Sequence, residues 1–179
     1  MSAAPSPRAP LAALPTVLIV VSDRAASGER PDGSAALLEP ALRARGFELV
    51  EVVVVPDDRA RIAAAIRAAA ARVSIVLTTG GTGVAPRDVT PEATRDVLDL
   101  EVPGLGEEMR RQSALVNPKA LGSRGLGGVL GHAVVLNLPG RPEGAVECFG
   151  HVAAVLGHLA ALRRGPVPDA SHVPIRDRT

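Results

Sequence analysis

The stretch Val17-Leu18-Ile19-Val20-Val21-Ser22-Asp23 decides how the rest of the chain is read. An unbroken apolar run rich in β-branched residues, ended by Ser-Asp, suits a strand buried on both faces, as in parallel sheets covered by helices on each side. Residues 74–78 and 133–138 repeat the pattern, and residues 47–55 supply a further strand. The segments between them carry helical spacing. Leu37, Leu38 and Leu42 lie on one side of a helix over 34–45 closed by Gly46, and Ile62, Ile66 and Val73 mark a helix to Arg72 capped by Asp57 or Asp58. Thr90-Pro91 opens a helix over 91–98, with the hydroxyl as cap. Further helices are predicted over 105–114 and 142–162, the last with Val146, Phe149, Val152 and Val155 inward. The glycine-rich segment 122–131 leaves room for a short strand or hairpin. Alternating strands and helices predict a three-layer α/β fold, a mostly parallel sheet with helices on both faces.

The chain has 179 residues and a mass of 18.3 kDa, enough for one core but not for two enzyme domains. The expected organisation is a loose Ala/Pro-rich arm over 1–15, one domain over 16–164 and a proline-containing tail over 165–179. The arm has one charge, Arg8, and no compact apolar run, so it does not read as a signal peptide. Twenty basic residues against nineteen acidic ones leave +1, and the aromatic residues are only Phe47 and Phe149. Neither a basic phosphate-gripping surface nor a base-stacking platform can be built from that, so nucleic acid is not an expected partner. The single cysteine, Cys148, allows no intrachain disulfide and no thiolate zinc cluster. No uninterrupted apolar stretch approaches the roughly 20 residues of a membrane helix. A cytoplasmic protein is expected.

Ligands of open parallel sheets bind beyond the carboxyl ends of the strands. The segments there are Ser22-Asp23, Asp57-Asp58, Thr78-Thr79-Gly80-Gly81-Thr82-Gly83 and Leu138-Pro139-Gly140-Arg141-Pro142. Each is also ordinary turn chemistry. The glycine loop is the most informative, because its backbone N–H groups can cradle a phosphate with no side chain in the way. It is neither common nucleotide fingerprint: the only lysine is Lys119, far downstream, and Pro86 stands where a dinucleotide loop needs its third glycine. Asp57 and Asp88 beside a polyphosphate site make sense if a hard cation such as Mg²⁺ lies between them and the phosphates. They equally suit cap and turn roles, Asp57 before a helix and Asp88 bonded to Arg87 or nearby amides. His151 and His158 share a helix side but lack a third zinc ligand, and no Gly-x-Ser-x-Gly elbow suggests a serine triad. Arg43, Arg45, Arg61, Arg67 and Arg72 read as a solvated face.

Thr78-Thr79-Gly80-Gly81-Thr82-Gly83 followed by Arg87-Asp88-Val89-Thr90-Pro91-Glu92-Ala93 resembles the signature of the MogA/MoaB family of molybdenum-cofactor proteins, which includes molybdopterin adenylyltransferases. Ser22-Asp23, Gly28 with Asp32 and Ser34, Asp57, Ser113, Ser123-Arg124 and Leu138-Pro139-Gly140-x-Pro142 follow in the family's order. The resemblance implies a compact α/β fold, usually a homotrimer, using ATP to adenylylate molybdopterin with release of pyrophosphate. It implies Asp57 and Asp88 as catalytic carboxylates acting through Mg²⁺. Thr79, Gly80, Gly81, Thr82, Gly83, Pro139 and Gly140 would line the nucleotide side. Ser22, Asp23, Asp32, Ser34 and Ser123 would line the pterin side. A metal-insertion protein of the same pathway would be a partner. Ala35 departs from the family pattern, which commonly has glycine after this serine. A pterin-binding member without adenylylation, a domain related to the metal-insertion proteins that share the fold, and a purely structural oligomer are the alternatives.

Overall fold

The computed structural model describes residues 13–29 and 33–163. Asp32, nearly all of the N-terminal arm and the C-terminal tail lie outside the described residues. The elements run β1 (Leu14–Val21), α1 (Asp23–Ala26), α2 (Ser34–Arg43), β2 (Phe47–Val55), α3 (Arg59–Ala70), β3 (Ile75–Thr79), α4 (Thr90–Arg95), β4 (Leu100–Glu101), α5 (Pro103–Ala114), a 3-10 turn (Pro118–Gly122), β5 (Gly127–Leu130), β6 (Ala133–Leu138) and α6 (Pro142–Arg163).

One sheet holds the six strands in the order β2-β1-β3-β6-β5-β4. The first four are parallel, and β5 and β4 are added antiparallel to β6, so the sheet is mixed and mostly parallel as expected. Successive side chains of β1 go to opposite faces. Leu18 and Val20 join a core with α2, α5 and α6, while Val17, Ile19 and Val21 join one with α3 and α4. In the first core the edge of one phenyl ring, Phe47 or Phe149, meets the face of the other, with centroids 5.2 Å apart. The inner face of α6 is Ala145, Cys148, Phe149, Val152, Leu156 and Ala160. That helix is long and apolar enough to cross a bilayer by length and composition, but its apolar side packs against the sheet.

Several boundaries differ from the sequence reading. β1 starts at Leu14, inside the segment read as an arm, because Leu14 and Pro15 already pair with Phe47 and Glu48. The 122–131 segment does form a strand, β5, returning to β6 through a tight turn at Gly131. Asp58, not Asp57, caps α3, accepting from the Arg61 amide at 2.8 Å. Thr90 does not cap α4 but lies inside it, and its hydroxyl donates to the Gly80 carbonyl at 2.9 Å. The short helix α1, capped by Ser22, and the two-residue β4 carry too little periodicity to be read in advance.

Parallel register brings three strand ends to one level: Val20 pairs with Thr79, and Thr79 with Leu138. The chain then turns at Gly80 with φ of 101°, and a Cβ there would lie 2.3 Å from the Val21 carbonyl oxygen. Backbone cannot move aside as a side chain would, and the dihedral itself disfavours any other residue. Gly80→Ala should therefore lower unfolding stability by roughly 2–4 kcal/mol, measured by urea denaturation, with strain and overpacking acting together.

Candidate active site

The ends of β1 and β2 are locked together by two aspartates. Asp23 Oδ1 accepts from the Asp57 amide at 3.1 Å, and Asp57 Oδ2 accepts from the Asp23 amide at 3.0 Å. The other Asp23 oxygen accepts from Arg87 Nε at 2.7 Å and pairs with its Nη2 at 2.6 Å, reaching across to the segment after the glycine loop. Because Asp58 takes the helix cap, Asp57 is left to face the loop. Its Oδ1 stands 3.3 Å from where a Gly81 Cβ would be. Asp88 approaches the same loop two residues further on: its Oδ2 accepts from the Ala85 amide at 2.8 Å and stands 2.8 Å from a Gly83 Cβ position. Thus Asp88 is a turn former that also touches the loop, and Arg87 pairs with Asp23 rather than with its neighbour.

The electrostatics follow from this crowding. Burial pushes the Asp57 carboxyl above its ordinary value, and the hydrogen bond with the Asp23 backbone pulls it back. The charges of Asp23 and Asp88 push it up again, against Arg87. A carboxyl whose pKa is raised by burial and by like charges is a common mark of a functional site.

Two cavities flank the glycine loop. One, of about 360 Å³, is lined by Ser22, Gly33, Asp57, Thr79, Gly80, Gly81 and Gly140, among others. The other, of about 410 Å³, is lined by Thr82, Gly83, Lys119, Ser123, Pro139 and Arg141, with Ser113 and Cys148 also on its wall. The residues expected on the nucleotide side are therefore divided, Thr79, Gly80, Gly81 and Gly140 in the first cavity and Thr82, Gly83 and Pro139 in the second. Those expected on the pterin side are divided as well, with Ser22 in the first and Ser123 in the second. Asp23, Ser34 and Asp88 are not on the wall of either cavity. Ser34 is wholly buried at the start of α2. Burial raises the Cys148 thiol's pKa, and its Sγ lies 3.5 Å from Ser113 Oγ. Among the described residues no three His, Cys, Asp or Glu side chains gather as a metal site.

Beneath the loop runs a buried polar ladder. Asn137, wholly inside β6, donates to the hydroxyls of Thr78 at 3.0 Å and Thr94 at 2.9 Å. The Thr94 hydroxyl donates to the Thr90 carbonyl, and that of Thr79 to the Pro139 carbonyl, both at 2.8 Å. Asn137, Thr90 and Thr94 were not singled out from the sequence as site residues. The available signal was one amide in an otherwise apolar strand, which buried structure tolerates only when hydrogen-bonded.

Comparison with known proteins agrees with this architecture. Residues 17–158 match the family model described as "Probable molybdopterin binding domain". The molybdopterin adenylyltransferase of Escherichia coli K12 is 42% identical over 147 residues, covering 79% of this chain and 75% of that protein. Molybdenum cofactor biosynthesis protein B of Bacillus cereus is 36% identical over 148 residues, covering 79% and 86%. Among solved structures, the molybdopterin biosynthesis enzyme MoaB of Thermus thermophilus superimposes with a TM-score of 0.80 at 42% identity, over 86% of this chain and 98% of that one. With the family model covering most of the sheet, the glycine loop, Asp57 and Asp88, the chain belongs to the molybdopterin-binding domain family of molybdenum-cofactor biosynthesis, the MogA/MoaB group.

Proposed function

We propose that this chain is a molybdopterin adenylyltransferase. The observation that carries the reading is that Asp57 and Asp88 both touch one glycine loop, which has a cavity on each side. Two anionic substrates fit that plan, one per cavity, with their phosphates meeting at the loop. A terminal phosphate oxygen of molybdopterin bonds to the α-phosphorus of ATP, the bond to the β-phosphate oxygen breaks, and pyrophosphate leaves with that electron pair. An ionised phosphate near neutral pH needs no general base, which suits two cavities whose described walls hold no histidine. The chain's contribution would be alignment and charge: the glycine loop lets the phosphates approach the backbone closely, and the strand ends would hold the two substrates within reach.

Mg²⁺ suits the donor set, because it takes one or two carboxylates and completes its shell with water and substrate phosphates. Asp57 and Asp88 would hold it, and when bound it offsets the charge that two polyanions bring together. The reading also includes a cytoplasmic location, a homotrimer and transfer of product to a metal-insertion protein. The exposed apolar side of β2, Val50, Val52 and Val54, supports self-association.

Incubation with molybdopterin, ATP and Mg²⁺ should yield pyrophosphate and an AMP-bearing pterin in equal amounts, followed by chromatography. Binding of both ligands without pyrophosphate would leave a pterin-binding protein instead, and no binding would leave a structural oligomer. Asp88→Asn should lower turnover by at least about 10²-fold, the scale of one lost preorganised electrostatic group. Asp57→Asn should abolish turnover yet leave the melting temperature at pH 7 equal or higher. The raised folded-state value means that the ionised carboxylate destabilises the fold above that value. The stability difference should shrink as pH falls through the folded-state value and vanish below the ordinary aspartate value of about 4, where folded and unfolded chains are both protonated.

A further inference from the structure

Arg124 is on the wall of neither cavity, and its side chain is about two-thirds buried against the back of the glycine loop. Each of its three nitrogens is engaged. Nε donates to the Gly83 carbonyl at 2.6 Å, Nη2 donates to the Asp88 carbonyl, and Nη1 pairs with the Glu92 carboxylate at the start of α4. Its own amide donates to the Thr82 carbonyl at 2.8 Å. One guanidinium thus spans the loop from Gly83, through Asp88, to the helix that follows. Arg110 braces the segment from the other side, its Nη1 donating to the carbonyls of Gly125 at 2.9 Å and Ser123 at 3.3 Å.

We infer that Arg124 is a positioning residue for the proposed transfer, one that holds the Gly83–Asp88 segment in its working shape without touching either substrate. The inference rests on the adenylylation reading for its kinetic consequence, but not for its structural one. Pairing with Glu92 makes the couple neutral, so its effect on phosphate charge is small and its effect on geometry is large. The planar fork of arginine can meet several acceptors at fixed angles, whereas a lysine ammonium in the same place is a single point that cannot span them. Without this tie, the carbonyls of Gly83 and Asp88 lose their partner and the loop can relax. The Asp88 carboxylate would move with it.

The test uses the full chain with Arg124→Ala, Arg124→Lys and Glu92→Gln. In hydrogen–deuterium exchange without substrate, Arg124→Ala should speed exchange of the amides over 82–90 by at least about 10-fold, with the strands unchanged, because a local tie and not the global fold is released. In the adenylylation assay kcat should fall by about 10–100-fold while KM for ATP stays within about threefold, the pattern of a misplaced group. Guanidinium ion at low millimolar concentration should restore part of the Arg124→Ala rate and do nothing for the parent. Arg124→Lys should resemble Arg124→Ala. If Arg124→Ala does not fold, Glu92→Gln carries the test and should show a smaller rise in the same exchange. Unchanged exchange in the folded variants, or a raised KM with kcat intact, would overturn the inference. A parent enzyme that makes no AMP-bearing pterin would instead remove the proposed reaction, with the exchange result still deciding whether Arg124 holds the loop.

Discussion

The closeness of backbone to backbone at Gly80 sets the rest of the site. The hydrogen-bonded register of β1, β3 and β6 places Val20, Thr79 and Leu138 side by side, and the chain leaving Thr79 must then pass against the Val21 carbonyl. The loop from β6 closes on it from the other side, since a Gly140 Cβ would lie 3.1 Å from the Gly80 Cα. A side chain at Gly80 would drive against the Val21 backbone and one at Gly140 would crowd the Gly80 Cα, so either would alter the shape of the cavities on the loop's flanks. The loop is therefore a packed ridge, and the residues around it are placed by contact with it.

On that ridge the aspartates act in unequal ways. Asp23 commits both oxygens to structure, one to the Asp57 amide and one to Arg87, and so keeps Asp57 turned toward the glycines. Asp57 bears the electrostatic strain, with burial and two neighbouring carboxylates working against its ionised form. Asp88 is held by the Ala85 amide at the far end of the loop. Hydrogen bonds thus fix where Asp57 sits, while burial and its like-charged neighbours oppose its ionised form.

The division of polar work also separates support from chemistry. Thr78, Thr90, Thr94 and Asn137 are buried and bonded among themselves, so they stiffen the floor below the loop. Arg124 ties the loop's outer half to α4. Neither group reads as chemistry from its own neighbours in the chain, because each acts on segments far away: Arg124 reaches back 41 residues to Gly83.

Much of the molecule was legible before any coordinates. Apolar runs of strand length between helices of 3.6-residue spacing leave few topologies other than a covered parallel sheet, because burial on both faces demands it. The glycine loop stood out because glycines at a strand end let backbone approach a ligand, whereas Asp57 and Asp88 suited cap and turn roles equally well. Local signals could not say which of Asp57 and Asp58 would cap α3, since adjacent residues suit that role equally well and only the path of β2 chooses between them. Nor could they show that Ser22 and Ser123 line different cavities, that Asp23 would hold Asp57, or that an arginine following Ser123 would clasp a loop four elements earlier. Those outcomes depend on the hydrogen bonds and contacts made when distant segments close on one another, and chain spacing carries no record of such distances.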